Sequence, residues 1–369
     1  MMKNKPSPTD SFLFKRSGIT ADNRIVLAAM TNKQSHDNGT ISQAEINWLA
    51  RRANGGFGII TTAATHVAKH GQGWEGEFGV FDDSQRPNLS LLAKTIHSYD
   101  SLIIAQLFHG GAKSPQGLTG MQPISASVIS SDESYSGYTY AASEKDIAKI
   151  IKDFTTAAIR CAESGLDGIE LHGAHGYLLS QFLGKETNMR TDKWGGSFKN
   201  NSRILFDIYK SIKNNVHDSF IVGVRLSPEI KSMGIDLEDS IALACKLTDM
   251  GVDYIHLSCW DVFSKSQTYP EEQKTLTEWF IEGCNKRLAI ISTGNIWSAY
   301  DAQELLNQGA DLIGVARVGI PFPDWADNVV NKNYSPPRPP FKVSMLKSAE
   351  LSNPFIEYMR KWKGFVEDD

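Results

Sequence analysis

Two imidazoles and a phenol fall within six positions, at His172, His175 and Tyr177, in a chain with only nine histidines. A neutral imidazole donates a hydrogen bond to a ligand oxygen, and two together can stabilise charge on it. A phenol, with a reference pKa of about 10, stays protonated at neutral pH and can give up a proton. The trio follows the acidic and apolar run Gly168–His172 and precedes the helix-like Leu178–Leu183. It reads as a loop between a buried strand and a helix, where Gly173, Ala174 and Gly176 let a ligand approach the backbone. Two other readings stand beside this one. Glu170 shares a strand face with His172 and would be a third ligand for zinc or iron. No second His and carboxylate cluster accompanies it, so no metal is expected. Tyr177 taken alone also reads as a packed ring with a satisfied hydroxyl.

Such residues need a scaffold that gathers strand ends. Eight β-rich runs recur: Ile25–Met30, Phe57–Ala64, Leu102–Phe108, Gly168–His172, Phe220–Leu226, Tyr254–Ser258, Leu288–Ser292 and Leu312–Ala316. Several are near-continuous apolar runs, as parallel strands buried on both faces require. Helical patterns separate them at Gln43–Asn54, Pro87–Tyr99, Ser143–Ser164, Asn200–Asn214, Leu237–Met250, Leu276–Asn285 and Ser298–Gln308. Ser42 with Glu45 and Ser143 with Asp146 are capping-box spacings, and Gly165, Gly251 and Gly309 stand at helix stops. The alternation predicts an α/β chain forming a single-domain (β/α)8 barrel. An open doubly wound sheet is the alternative, but no G-x-G-x-x-G follows the first strand. The stretch Gly110–Ala142 reads as an insertion after strand three, placed to lie over the C-terminal mouth. Residues 1–334 would be the barrel. Residues 335–369 would be an extension packed on it or on a partner subunit, with Phe355–Val366 helical.

In a barrel, polar residues at strand C-termini read as site residues. Gln106 and His109 lie at the end of strand three, Arg225 at the end of strand five, Asn295 after strand seven and Arg317 after strand eight. Gly294 and Gly314 let backbone N–H groups converge on an anion, and Arg317 adds a forked cation, so a phosphorylated ligand is expected there. Arg225 needs a partner, either Glu170 in a structural ion pair or negative charge on a ligand. Arg190 and Asp192 read as a brace for their own loop. Trp74, Tyr135 and Trp260 are candidates for a pocket wall, although lone aromatics are more often packing.

Composition sets limits. Hydrophobic residues make up 41% and charged residues 22% of 369, which suits a soluble globular chain with a large core. The net charge of −4 gives no steering towards nucleic acid or an anionic membrane. No apolar run reaches the length of a membrane span, and Met1–Pro8 lacks the apolar core of a secretory signal. Cys161, Cys245, Cys259 and Cys284 are far apart with no CxxC, so each is expected on a buried face, in a reduced, cytoplasmic protein.

The run His172-Gly173-Ala174-His175-Gly176-Tyr177-Leu178, then Gln181-Phe182-Leu183, then Asn188-Met189-Arg190-Thr191-Asp192-Lys193-Trp194-Gly195-Gly196-Ser197, resembles the signature of the old yellow enzyme family of FMN-dependent ene-reductases. Ala105-Gln106-Leu107-Phe108-His109-Gly110-Gly111 is similar to its third-strand motif, and Gly309–Arg317 to its last phosphate-binding strand. The resemblance implies that Ala29, Met30, Thr31, Ala64 and Gln106 lie against the flavin, and that Arg225 faces its N1 and C2 carbonyl edge. It implies that Gly294, Asn295, Ala316 and Arg317 hold the phosphate, that His172 and His175 grip the substrate oxygen, and that Tyr177 donates the proton. The departures are Ala29 for proline, Ala112 for arginine, Lys199 and Asn201 for Glu and Arg, and Ala316 for glycine. Lys33 stands where one branch has a substrate-binding tyrosine.

The implied activity is reduction of activated C=C bonds in enones, enals or nitro compounds, or of quinones, by non-covalent FMN, with NADPH or NADH as reductant. The partner is a small molecule, with a homo-oligomer as an option and neither nucleic acid nor membrane involved. Two alternatives remain: a flavin-free lyase or isomerase on a phosphate-binding barrel, and a flavin protein without turnover.

Overall fold

The computed structural model describes residues 5–369, so the first four residues of the N-terminal segment lie outside the described residues. All eight apolar runs form strands: β1 Ile25–Leu27, β2 Ile59–His66, β3 Leu102–Phe108, β4 Gly168–Gly173, β5 Ile221–Leu226, β6 Tyr254–Ser258, β7 Ile290–Thr293 and β8 Leu312–Val315. Each pairs in parallel with the next, and β8 pairs with β1 through Ile313 and Ile25, closing a barrel. The helices between them are α1 Gln43–Ala53, α2 Arg86–His97, α3 Glu144–Glu163, α4 Arg203–Lys213, α5 Leu237–Met250, α6 Leu276–Gly283 and α7 Ala299–Gln308. Their N-termini follow side-chain chemistry. Ser42 caps α1, and Ser143 forms a reciprocal capping box with Asp146 at α3.

The barrel is filled, not open. Inward residues from odd strands (Val26, Ile104, Ile221, Ile291) and even strands (Ile59, Tyr254, Leu312) cluster at its N-terminal end. A hairpin of Phe12–Phe14 with Ile19–Ala21 plugs that end, and Phe14 meets Tyr254 at 6.0 Å between ring centroids. An apolar floor therefore blocks one end, and a ligand can enter only from the strand C-termini.

Several elements differ from expectation. β1 leaves the ladder after Leu27, so Ala29–Thr31 run free along the mouth. Helix α4 is preceded by a separate short turn, Phe198–Asn201, capped by Ser197. Between β8 and the tail only the short turns Arg317–Gly319 and Trp325–Asn328 are helical, and the tail covers the barrel there. The tail is not one helix over Phe355–Val366. It forms α8, Asn353–Arg360, then a turn, and Val366–Glu367 pairs with Phe341–Lys342. It is built into the core. Phe355 packs edge-on to Trp48 at 5.4 Å, Trp297 donates to the Pro336 carbonyl at 2.8 Å, and buried Arg52 donates to the Ala349 carbonyl at 2.6 Å. Cys161, Cys259 and Cys284 are buried as expected, but the reduced state expected for all four holds only for Cys161 and Cys259. Cys245 and Cys284 form a disulfide across a sequence separation of 39, because α5 and α6 pack side by side. No helix of the described residues is long and apolar enough to cross a membrane.

Candidate active site

A cavity of about 1150 Å³ opens at the C-terminal mouth. Ala29, Met30, Thr31, Ala64, Gln106, His172, His175, Tyr177, Arg225, Gly294, Asn295, Ala316 and Arg317 all line it. Residues from seven strand ends thus converge on one space. Of the three aromatic candidates, Trp74 and Trp260 line the cavity, whereas Tyr135 is exposed outside it. Lys33 does not line the cavity. Its left-handed backbone (φ 57) turns against Gly76 instead, and Tyr358 of α8 sits beside Thr31.

His172 and His175 stand edge to face with centroids 4.9 Å apart, and Tyr177 lies 5.2 Å from His172. His172 is buried, and its Nδ1 has no partner. Burial, then the neighbouring His175 and Arg225, holds its imidazole well below the usual range. His175 opens onto the cavity in a left-handed conformation (φ 62) fixed from three sides. Ser227 Oγ accepts from its N–H at 3.1 Å, Lys113 donates to its carbonyl at 2.8 Å, and Ser258 Oγ meets its Nε2 at 2.6 Å. Desolvation and the Arg225 charge push this imidazole down to about 3. Both rings are therefore neutral at pH 7. Arg225 donates to Ser258 Oγ at 3.0 Å, so the serine hydroxyl is free to donate to Nε2, leaving Nδ1–H of His175 for a ligand. Burial pushes the Tyr177 hydroxyl up to about 12. Its ring is packed edge-on to Phe108 at 4.6 Å, with the Lys113 ammonium 5.0 Å over it.

Beneath these groups lies a polar layer across the barrel. Glu170 accepts from Gln106 Nε2 at 2.6 Å and Tyr254 Oη at 3.2 Å, and meets His256 Nδ1 at 2.7 Å. His256 Nε2 meets Thr293 Oγ1 at 2.6 Å. Two glycines make room for it. A Cβ on Gly223 would sit 2.1 Å from the Tyr254 ring, and one on Gly314 would sit 1.6 Å from Thr293 Oγ1. Burial works to raise the Glu170 carboxyl, but His256, Arg225 and Gln106 outweigh it and hold the group below the usual carboxylate range. Glu170 makes no direct ion pair with Arg225. Arg225 donates instead to Ala29 O at 3.2 Å and to Ser258, and its buried Nε has no partner. A permanent cation with spare donor capacity in the cavity wall fits an electron-rich ligand edge. Gln106, with its N–H₂ committed to Glu170, keeps its amide oxygen for a ligand N–H. The far end holds Asn295 in a left-handed conformation (φ 55) and Arg317, which has no carboxylate partner among the described residues. A flat apolar wall, a cation, an amide oxygen and a second arginine at the far end of one cavity fit FMN.

Residues 14–335 match the NADH:flavin oxidoreductase / NADH oxidase family. The chain belongs to that family. A probable NADH-dependent flavin oxidoreductase, YqiG of Bacillus subtilis (strain 168), is 34% identical over 329 residues, 87% of each chain. An NADPH dehydrogenase of Halalkalibacterium halodurans is 35% identical over 312 residues, 84% of this chain and 90% of that one. The old yellow enzyme homologue from Zymomonas mobilis superposes with a TM-score of 0.79 at 25% identity, covering 92% of this chain and 96% of its own. This protein is an FMN-dependent NAD(P)H oxidoreductase of the old yellow enzyme type. The flavin-free lyase or isomerase reading falls with that assignment.

The sequence reading missed Ser258, Lys113, the Glu170–His256 layer and the tail residues Tyr358 and Trp362, which also line or underlie the cavity. Ser258 and His256 carried a usable signal, since both lie at the C-terminal half of β6. The tail residues carried none, because an amphipathic helix does not announce which barrel end it covers. Arg190 acts as expected, bracing its loop through Asp192 at 2.6 Å and the carbonyls of Ala126 and Ala142.

Proposed function

We propose that this oxidoreductase reduces the activated C=C bond of α,β-unsaturated carbonyl and nitro compounds. The observation that carries the reading is the pairing of two neutral imidazoles with a protonated phenol on one face of the cavity, 4.9 and 5.2 Å apart between ring centroids. Bound FMN supplies two-electron hydride chemistry between NAD(P)H and the substrate. Ala29, Met30 and Ala64 offer it a flat apolar seat, Gln106 an acceptor, and Arg225 a charge that stabilises negative charge on the ring. Gly294, Asn295, Ala316 and Arg317 hold its phosphate. His172 and His175 hydrogen-bond the carbonyl or nitro oxygen of the substrate and draw electron density away from the double bond. Tyr177 gives its proton to the α carbon. Lys113 and Ser258 act on the site through His175 by holding its backbone and ring.

The test is anaerobic. Holoenzyme is reduced with one equivalent of NADH or NADPH, then mixed with 2-cyclohexenone, an aliphatic enal and a nitroalkene, and the products are identified. One saturated product per reduced flavin is expected. Flavin that stays reduced with all three alkenes and gives no saturated product, yet is reoxidised by a quinone added afterwards, would refute the reading.

A further inference from the structure

NAD(P)H is larger than the ring that reacts. Only its nicotinamide has to reach the space beside His172 and His175, so its adenosine half must lie along the mouth. The mouth carries two large apolar rings that the chemistry above does not use. Trp260, in the loop after β6, is 76% exposed, and Trp362, in the turn after α8, is 44% exposed. Both line the cavity. Their centroids lie 6.5 Å apart, with ring planes 30° from parallel. Indoles are normally covered for their large apolar area, and two left open together over a cavity mark a ligand surface. A planar heterocycle held between two rings needs about 3.5–4.0 Å to each face, or about 7–8 Å in total. The centroid spacing is short of that by roughly 1 Å, so Trp362 has to shift outward on its exposed turn Lys361–Gly364, which backbone bonds to Met359 and Phe365 hold in place.

The charges around the slot complement a diphosphate. Lys265, Arg317, Arg338 and Lys363 line the cavity. No ion pair among the described residues involves any of them. The two acids lining the cavity are already engaged: Glu229 accepts from Ser266, Gln267 and Thr268, and Asp261 from Asn295 and Phe263 N–H. With Arg317 at the flavin phosphate, three further cations lie at the mouth of a chain whose net charge is −4: Lys363, Lys265, which donates to Gln273 Oε1 at 2.7 Å, and Arg338, which lies over Trp297 and reaches Asn295 Oδ1 at 3.5 Å. We propose that Trp260 and Trp362 clamp the adenine ring of NAD(P)H, with Lys265, Arg338 and Lys363 facing its diphosphate. The proposal rests on the flavin occupying the inner cavity and is independent of the alkene chemistry.

The experiment is anaerobic stopped-flow reduction of the holoenzyme by NADH, by NADPH and by reduced nicotinamide mononucleotide, which lacks the adenosine half. In Trp362→Ala and Trp260→Ala the half-saturating concentration of the dinucleotides should rise about tenfold, the scale of one lost base-stacking contact. The limiting reduction rate should stay near wild type, and saturation by the mononucleotide should not change. Trp362→Phe should keep most of the affinity, and this conservative variant decides the matter if an alanine variant fails to fold. Lys363→Gln should reduce the salt dependence of dinucleotide binding. Equal loss for the mononucleotide, or unchanged dinucleotide saturation in the double alanine variant, would overturn the clamp. So would a defect confined to reoxidation by aromatic enones, because the rings would then serve the substrate. Alkene reduction that fails while these saturation shifts appear would sink the proposed function and leave the clamp standing.

Discussion

Replacing Tyr177 by phenylalanine separates the two halves of the catalytic cycle. The change removes one oxygen and leaves the ring packed against Phe108 at 4.6 Å, with the Lys113 ammonium over its face. The variant should therefore fold and retain flavin. Reduction of the flavin by NAD(P)H takes no proton from Tyr177 and should proceed near the wild-type rate. Protonation at the substrate α carbon, the role proposed for Tyr177, loses its donor. A positioned general acid contributes typically about 10²–10⁴-fold, or about 3–5 kcal/mol of barrier at 1.36 kcal/mol per decade. Reoxidation by 2-cyclohexenone should slow on that order, whereas reoxidation by a quinone should be far less affected. The Tyr177 hydroxyl at about 12 and His175 at about 3 titrate outside the window between about pH 5 and about pH 10, and burial holds His172 well below its usual range. The wild-type enone rate should be flat in that window, and the variant should depend on buffer acid concentration. Stopped-flow traces of both half-reactions supply the measurement. Equal slowing of both would mean Tyr177 is only packing, and no slowing with any enone would remove it from the mechanism.

Three further predictions concern the groups around it. Arg225→Lys loses the fork that reaches both Ala29 O and Ser258 Oγ, and should lower the flavin reduction potential or its retention by about 1.5–3 kcal/mol; an unchanged potential in a spectroelectrochemical titration would make Arg225 structural. Joint replacement of His172 and His175 by alanine should abolish the long-wavelength band that appears when a phenol binds over oxidised flavin, and a persisting band would place the oxyanion site elsewhere. Gly314→Ala drives a methyl group into Thr293 Oγ1 and should break its 2.6 Å contact with buried His256. A loss of about 1–3 kcal/mol is expected from the stranded imidazole. Thermal unfolding should show that adding Thr293→Ala recovers part of it; strictly additive losses would mean that the two residues are not coupled.

How much was legible depended on the range of the interaction. The apolar runs from Ile25 to Val315 marked all eight strands, because a strand buried on both faces has no polar face to confuse its limits. Cap residues such as Ser42 and Ser143 placed helix starts within a residue, since a cap bonds to an N–H only three positions away. The end of β1 was overrun to Met30, because residues that line a ligand cavity are as apolar as those that line a core. The tail differs from one helix because Phe355 packs on Trp48 of α1 whereas Phe365 packs on Phe341 of the tail's own strand, and helical periodicity alone cannot assign two targets.

By itself the sequence determined the barrel and gathered His172, His175, Tyr177, Arg225 and Arg317 at strand ends, because barrel topology brings every strand C-terminus to one mouth. Only the tertiary structure decided the states and neighbours of those groups. It joined Ser258 to His175 and Arg225 across β4, β5 and β6, kept Glu170 apart from Arg225, and bonded Cys245 to Cys284. It also carried Tyr358 and Trp362 back over a mouth built hundreds of residues earlier. Protonation and partner choice follow from desolvation and distance, and both are properties of what surrounds a side chain in space rather than along the chain.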